Sequence, residues 1–146
     1  MQPRLDFYKA SPNAAKAMLA LEGAVNKLGL DPGLLDLVKL RASQINGCAY
    51  CVDMHSSDAR KRGESERRLY AVTVWRETPF FTPRERAALA WTEALTRIAD
   101  TNAPDADYEL LSSEFSEQER VDLTLAINAI NSWNRLAIGF RSVPAA

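Results

Sequence analysis

Both cysteines of the chain, Cys48 and Cys51, and its only histidine, His55, fall within eight consecutive positions. On a helix, His55 lies one turn beyond Cys51 and two beyond Cys48, so all three side chains project from one face. A dithiol with an imidazole beside it is a redox or nucleophilic constellation. The thiolate is the reacting form of cysteine, and a neighbouring base takes its proton. By spacing, His55 is better placed to serve Cys51 than Cys48; in thioredoxin-type motifs, by contrast, the more N-terminal thiol is the activated one.

The dipeptide Asn46-Gly47 stands just before this group. It is a turn signal at the end of one helical pattern, and it predicts a break ahead of Cys48. The cysteines then occupy the first turn of the next helix. Free backbone N–H groups and the positive end of the helix dipole stabilise a thiolate there. Two other readings of the same residues stay open. A structural zinc site needs four ligands, and the chain holds no cysteine or histidine beyond these three. Two inert thiols packed as small apolar side chains, with a satisfied core histidine, is the plainer alternative.

The elements that must position these residues read as helices throughout. Ser11-Pro12, Asp31-Pro32 and Thr82-Pro83 each place a capping side chain before a proline at the first helical position. Thr82 with Glu85 and Ser116 with Glu119 have capping-box spacing. Gly29 and Gly63 stand where helices stop. Between these marks the apolar period is helical, with stripes through Ala14–Leu28 and Leu34–Ile45. Further helices are predicted over Cys48–Arg62, Glu64–Trp75, Ala87–Ile98 and Asp105–Leu111. The last, Glu117 to about Phe140, is apolar on most faces and predicts a long, largely buried helix. No alternating strand pattern, repeat or low-complexity segment interrupts the series. The expectation is one all-α domain over residues 1–146, a bundle of about six to seven helices.

Composition narrows the function classes. With 47% hydrophobic and 25% charged residues and a net charge of −1, the chain has an ordinary globular balance and no basic footprint for nucleic acid. The run Arg60-Lys61-Arg62, followed by Glu64 and Glu66, reads as a solvated helix end. No apolar run is long enough to span a bilayer. Asp6, Lys9, Asn13 and Lys16 interrupt what would be the core of a signal peptide, so a cytoplasmic location is expected. In a reducing compartment a C-x-x-C pair is catalytic or metal-binding rather than a structural staple. Trp75, Trp91, Trp133, Phe80 and Phe81 are expected in core or interface, with a pocket as the other use. Asn128, Asn131 and Asn134 recur along the last helix as a polar edge or an interface.

The string ASQINGCAYCVDMHSSDA resembles the core of the AhpD-like alkylhydroperoxidases of the carboxymuconolactone decarboxylase superfamily. SWNRLAIGFR, residues 132–141, resembles the end of the last helix in small members. The resemblance implies an all-α fold and a homo-oligomer, commonly a trimer or hexamer. It implies Cys51 as the peroxidatic thiol, Cys48 as its resolving partner and His55 as the base. The substrate would be an organic hydroperoxide or hydrogen peroxide, the reductant an external dithiol or protein, and the setting antioxidant defence. No cofactor or bound metal is implied. The decarboxylase branch uses other site residues, which makes lactone chemistry the poorer fit. Twelve residues before the first cysteine the family carries a glutamate that completes the relay; here that position is Asp36. Aspartate is about one ångström shorter in reach, so Asp36 would need a water or a helix shift to act on His55. Alternatively, it is an exposed carboxylate near Lys39. Asp53 is expected to face solvent. A general disulfide oxidoreductase, a redox sensor or a non-catalytic oligomeric member are the competing functions.

Overall fold

The structure, a computed structural model, describes residues 1–144, and these residues form helices and connecting turns only. In chain order the helices are α1 (Phe7–Ala10), α2 (Pro12–Val25), α3 (Pro32–Asn46), α4 (Ala49–Lys61) and α5 (Glu66–Ala71). A 3₁₀ segment (Val72–Glu77) then leads to α6 (Pro83–Thr96), α7 (Ile98–Thr101), α8 (Asp105–Glu114) and α9 (Glu117–Phe140).

The starts follow the local chemistry read from the sequence. Ser11 and Asp31 cap α2 and α3 ahead of a proline at the first position, and Asp31 accepts the Leu34 N–H at 2.8 Å. Thr82/Glu85 and Ser116/Glu119 close as reciprocal capping boxes on α6 and α9. There are more helices than the six to seven expected, for two physical reasons. The single turns α1 and α7 are too short to show a period in the sequence. The pattern over Glu64–Trp75 does not run as one helix. It passes from α5 into the 3₁₀ segment, where Val74 takes non-helical angles (φ −123°, ψ 28°). The β-branched run Val72-Thr73-Val74 is a poor continuation of an α-helix.

The centre of the fold is α3, which touches α4, α6 and α9 and buries nine of its fifteen residues. It divides the core. Leu34, Leu35 and Val38 join Trp91, Leu111, Leu123 and Ile127 on one side. Leu37 and Leu40 join Leu69, Val72, Trp75 and Phe81 on the other. Each fully buried leucine contributes about 1.5–3 kcal/mol relative to exposure, so α3 is held firmly from both sides. The long α9 buries the face from Leu123 to Ala137, while Val121 and Ile138 remain in solvent. None of the described helices is long and apolar enough to cross a membrane.

Candidate active site

The dithiol lies at the junction of α3 and α4. Helix α3 ends at Asn46 because Gly47 adopts a left-handed conformation (φ 72°), which glycine enters without steric cost. Cys48 is then the N-cap of α4, and its sulfur accepts the Cys51 N–H at 3.3 Å. Cys51 is the third residue of the helix, and His55 follows one turn later on the same face. The two sulfurs are joined in a disulfide, with Cα atoms 5.3 Å apart. Both cysteines are 2% exposed, and both sit at the positive end of α4.

A polar clamp fixes this junction against α9. Asn46 donates from Nδ2 to the side-chain oxygens of Asn131 (2.9 Å) and Asn134 (2.8 Å). Asn134 in turn donates to Ser43 Oγ at 3.0 Å, and Asn131 donates to Thr96 and to the Ile127 carbonyl. Two of the three asparagines along α9 therefore hold the turn that precedes Cys48. The third, Asn128, faces solvent. Their three-residue spacing on an apolar helix was the available signal; their partners on α3 could not be read from it.

A cavity of about 780 Å³ opens beside the dithiol, and Cys51 and His55 line it while Cys48 does not. Apolar side chains from α2, α3, α4 and α9, Leu19, Leu35, Met54 and Trp133 among them, form much of its wall. Pro3 and residues 5–8 line one side of it, tied down by the Arg4 N–H on the Phe140 carbonyl at 3.0 Å. Of the aromatic residues considered above, Trp75, Trp91 and Phe81 are core and Trp133 alone reaches the cavity. Cavity access thus belongs to Cys51, whereas the helix-terminal N–H bond belongs to Cys48. The two marks of an activated thiol are divided between the pair.

His55 is 8% exposed, and its Nε2 is buried with no hydrogen-bond partner. Burial pushes its pKa down to about 4, and the Lys39 ammonium adds to the effect. Glu22, Asp36 and Asp58 act in the opposite direction without overcoming it. At neutral pH the ring is a neutral imidazole, able to accept a proton.

Asp36 is neither exposed nor paired with Lys39. It is 4% exposed and faces the cavity, and its two oxygens accept from Arg62 Nε at 2.6 Å and Nη2 at 3.0 Å. The structure places it in the same cavity wall as His55 without a hydrogen bond between the two. Lys39 instead pairs with Glu22 of α2. Arg62, read as part of a solvated helix end, is half-exposed and reaches back to α3. Neither Glu22 nor Arg62 could be found from sequence, because each partnership joins residues on separate helices. Asp53 is exposed, as its position predicts.

Fold and site define a class: an all-helical protein presenting a C-x-x-C pair at a helix N-terminus with a histidine one turn on. The chain belongs to the carboxymuconolactone decarboxylase family, whose model matches residues 12–94. Its C-x-x-C-x-x-x-H pattern at Cys48, Cys51 and His55 fits the AhpD-like members. It is 42% identical to the uncharacterised protein YdfG of Bacillus subtilis (strain 168), over 94% of each chain. A crystal structure from Agrobacterium tumefaciens matches with a TM-score of 0.97 and 50% identity over 99% of each chain. That protein is of unknown function and is described as a candidate antioxidant defence protein AhpD. The debrominase Bmp8 shares the fold at a TM-score of 0.83 and 21% identity, over 92% of this chain and 73% of its own.

Proposed function

We propose that the protein is a thiol-dependent peroxidase that reduces a hydroperoxide through Cys51 and Cys48. The observation that carries this reading is the cavity whose wall contains Cys51 and neutral His55 but not Cys48. A small molecule entering it meets one sulfur and one base together.

The steps follow from that placement. In the reduced protein the Cys51 thiol gives its proton to His55. The thiolate attacks the distal oxygen of the hydroperoxide, and the O–O bond breaks. Cys51 becomes a sulfenic acid, and the departing alkoxide takes a proton to leave as alcohol. The Cys48 thiol then attacks the Cys51 sulfur, releasing water and forming the Cys48–Cys51 disulfide. An external dithiol restores both thiols by two exchange steps and leaves as its own disulfide. The apolar part of the wall, Leu19, Leu35, Met54 and Trp133 among it, favours an organic hydroperoxide over hydrogen peroxide.

The test is consumption of an organic hydroperoxide with a dithiol reductant by wild type, Cys51→Ser and Cys48→Ser. Wild type should turn over and Cys51→Ser should not. Cys48→Ser should stop after one equivalent, with a sulfenic acid that dimedone traps. Wild type no faster than Cys51→Ser would overturn the reading.

A further inference from the structure

Lysine is almost never buried unless it is paired, and the Lys39 side chain is only 10% exposed. It rises from α3 on the same face as Asp36, three residues away, and its partner Glu22 belongs to α2. Lys39, Glu22, Cys51 and His55 all line one cavity. A buried ion pair is a weak source of stability, since well-packed apolar residues of similar size usually do as well. Its position on the same cavity wall as Cys51 and His55 asks for another role.

The surroundings of His55 indicate what that role is. An imidazolium is held when a carboxylate accepts from its ring, and Nε2 has no such partner. Asp36, the carboxylate that the family pattern would assign, accepts two hydrogen bonds from Arg62. The remaining charged groups facing His55 are Glu22, bound to Lys39, and Asp58, bound to Lys61. Asp6 and Arg141 stand on the cavity wall from outside the bundle helices. With the Lys39 ammonium on the same cavity wall and no carboxylate of its own, His55 passes a proton on more readily than it keeps one. The Cys51 thiolate then needs a different counter-ion.

We propose that Lys39, anchored by Glu22, is a positioning residue for the dithiol: the fixed cation that stabilises the Cys51 thiolate and returns His55 to its neutral form. The proposal deepens the peroxidase reading and rests on its assignment of Cys51 and His55. The proton leaves the Cys51 sulfur for a ring nitrogen of His55 and goes on to solvent. The negative charge left behind is balanced by Lys39 rather than by an imidazolium. His55 is thereby a shuttle: it takes a proton back from solvent and delivers it to the alkoxide as that leaves.

Because the chain has a single histidine, one imidazole proton resonance reports His55 directly. The experiment titrates that resonance in the oxidised protein, and the thiolate absorbance of Cys51 in a reduced Cys48→Ser background, each with and without Lys39→Met. Removing the cation should raise both midpoints, each by about half a pH unit or more. Lys39→Arg should hold both near the starting values, and Glu22→Gln should lower the His55 midpoint. If Lys39→Met does not fold, the double substitution Lys39→Met/Glu22→Gln is read against Glu22→Gln alone, above which both midpoints should then stand. Midpoints unmoved by loss of the lysine overturn the proposal, because a purely structural ion pair predicts that result. These readouts do not depend on turnover. Shifted midpoints with no peroxide consumption would overturn the peroxidase reading and leave the role of Lys39 standing.

Discussion

The Asp36 carboxylate, near the start of α3, and the Arg62 guanidinium, at the C-terminal end of α4, meet as a two-pronged pair at 2.6 and 3.0 Å. The carboxylate is buried, whereas the guanidinium side is 53% exposed. The two halves therefore differ in what their loss would do. Arg62→Ala leaves a buried charge without its partner and should cost about 1–2 kcal/mol, less than a fully enclosed pair because water reaches the arginine side. Arg62→Lys keeps the charge but not the planar fork and should recover only part of the loss. Urea unfolding of the three proteins checks this, and equal stability of wild type and Arg62→Ala would show that the pair contributes nothing.

Burial of His55 makes stability depend on pH. Its folded pKa, about 4, lies below the ordinary value of about 6.5, so between these limits the unfolded chain binds the extra proton. Stability is complete above about pH 6.5, falls as pH drops, and has lost this contribution by about pH 4. The loss should be up to about 3 kcal/mol for a group so enclosed. His55→Gln should flatten the slope in that window. Comparing the two proteins by urea unfolding at stepped pH isolates His55 from carboxylates that titrate in both.

Asn134 is fully buried, donates to Ser43 and accepts from Asn46. Asn134→Ala strips a partner from each and should destabilise by about 1–3 kcal/mol. Because these bonds hold the turn ahead of Cys48, amide exchange at residues 46–49 should quicken more than in the core of α6. Exchange measured by NMR distinguishes this from uniform loosening.

At Gly47 the left-handed angle carries the cost of any side chain, since a Cβ there would meet nothing within 4 Å. Gly47→Ala should lose about 1 kcal/mol, or about 3–4 °C in Tm for a chain of this size. Gly23, mid-helix in α2 with no positive φ and open space around it, should move the other way on substitution by alanine.

Cys51 and Cys48 should separate on alkylation of the reduced protein. Iodoacetamide should modify the lone thiol of Cys48→Ser faster than that of Cys51→Ser, because only Cys51 meets the cavity. The reverse order would mean that the N–H bond to Cys48 outweighs access.

Much of this arrangement is legible in the sequence. The capping pairs at Asp31, Thr82 and Ser116 are local, and so is the Asn46-Gly47 break that puts Cys48 at a helix start. The spacing that lines His55 up with Cys51 needs nothing but helical geometry. What escaped reading is what two distant helices do together. Asp36 looked like a relay carboxylate or an exposed one because Arg62, twenty-six residues on, carries no mark of its partner. Lys39 and Glu22 are ordinary helix residues until α2 is laid against α3. Glu64–Trp75 misled for a different reason: its apolar spacing is helical, but the β-branched stretch at its end is not.

The outer wall of the cavity comes from residues 3–8, a strap that contributes no buried residue of its own in α1. It is fastened by Arg4 to the end of α9 and by the Phe7–Phe140 and Tyr8–Trp133 ring contacts. None of residues 3–8 belongs to the buried core clusters or to the cluster that holds the dithiol. The fold thus separates the segment that bounds the cavity from the helices that hold the disulfide. If the peroxidase reading holds, exchanging Leu5 or Phe7 should change which hydroperoxides are consumed and leave the alkylation rate of Cys51 unchanged.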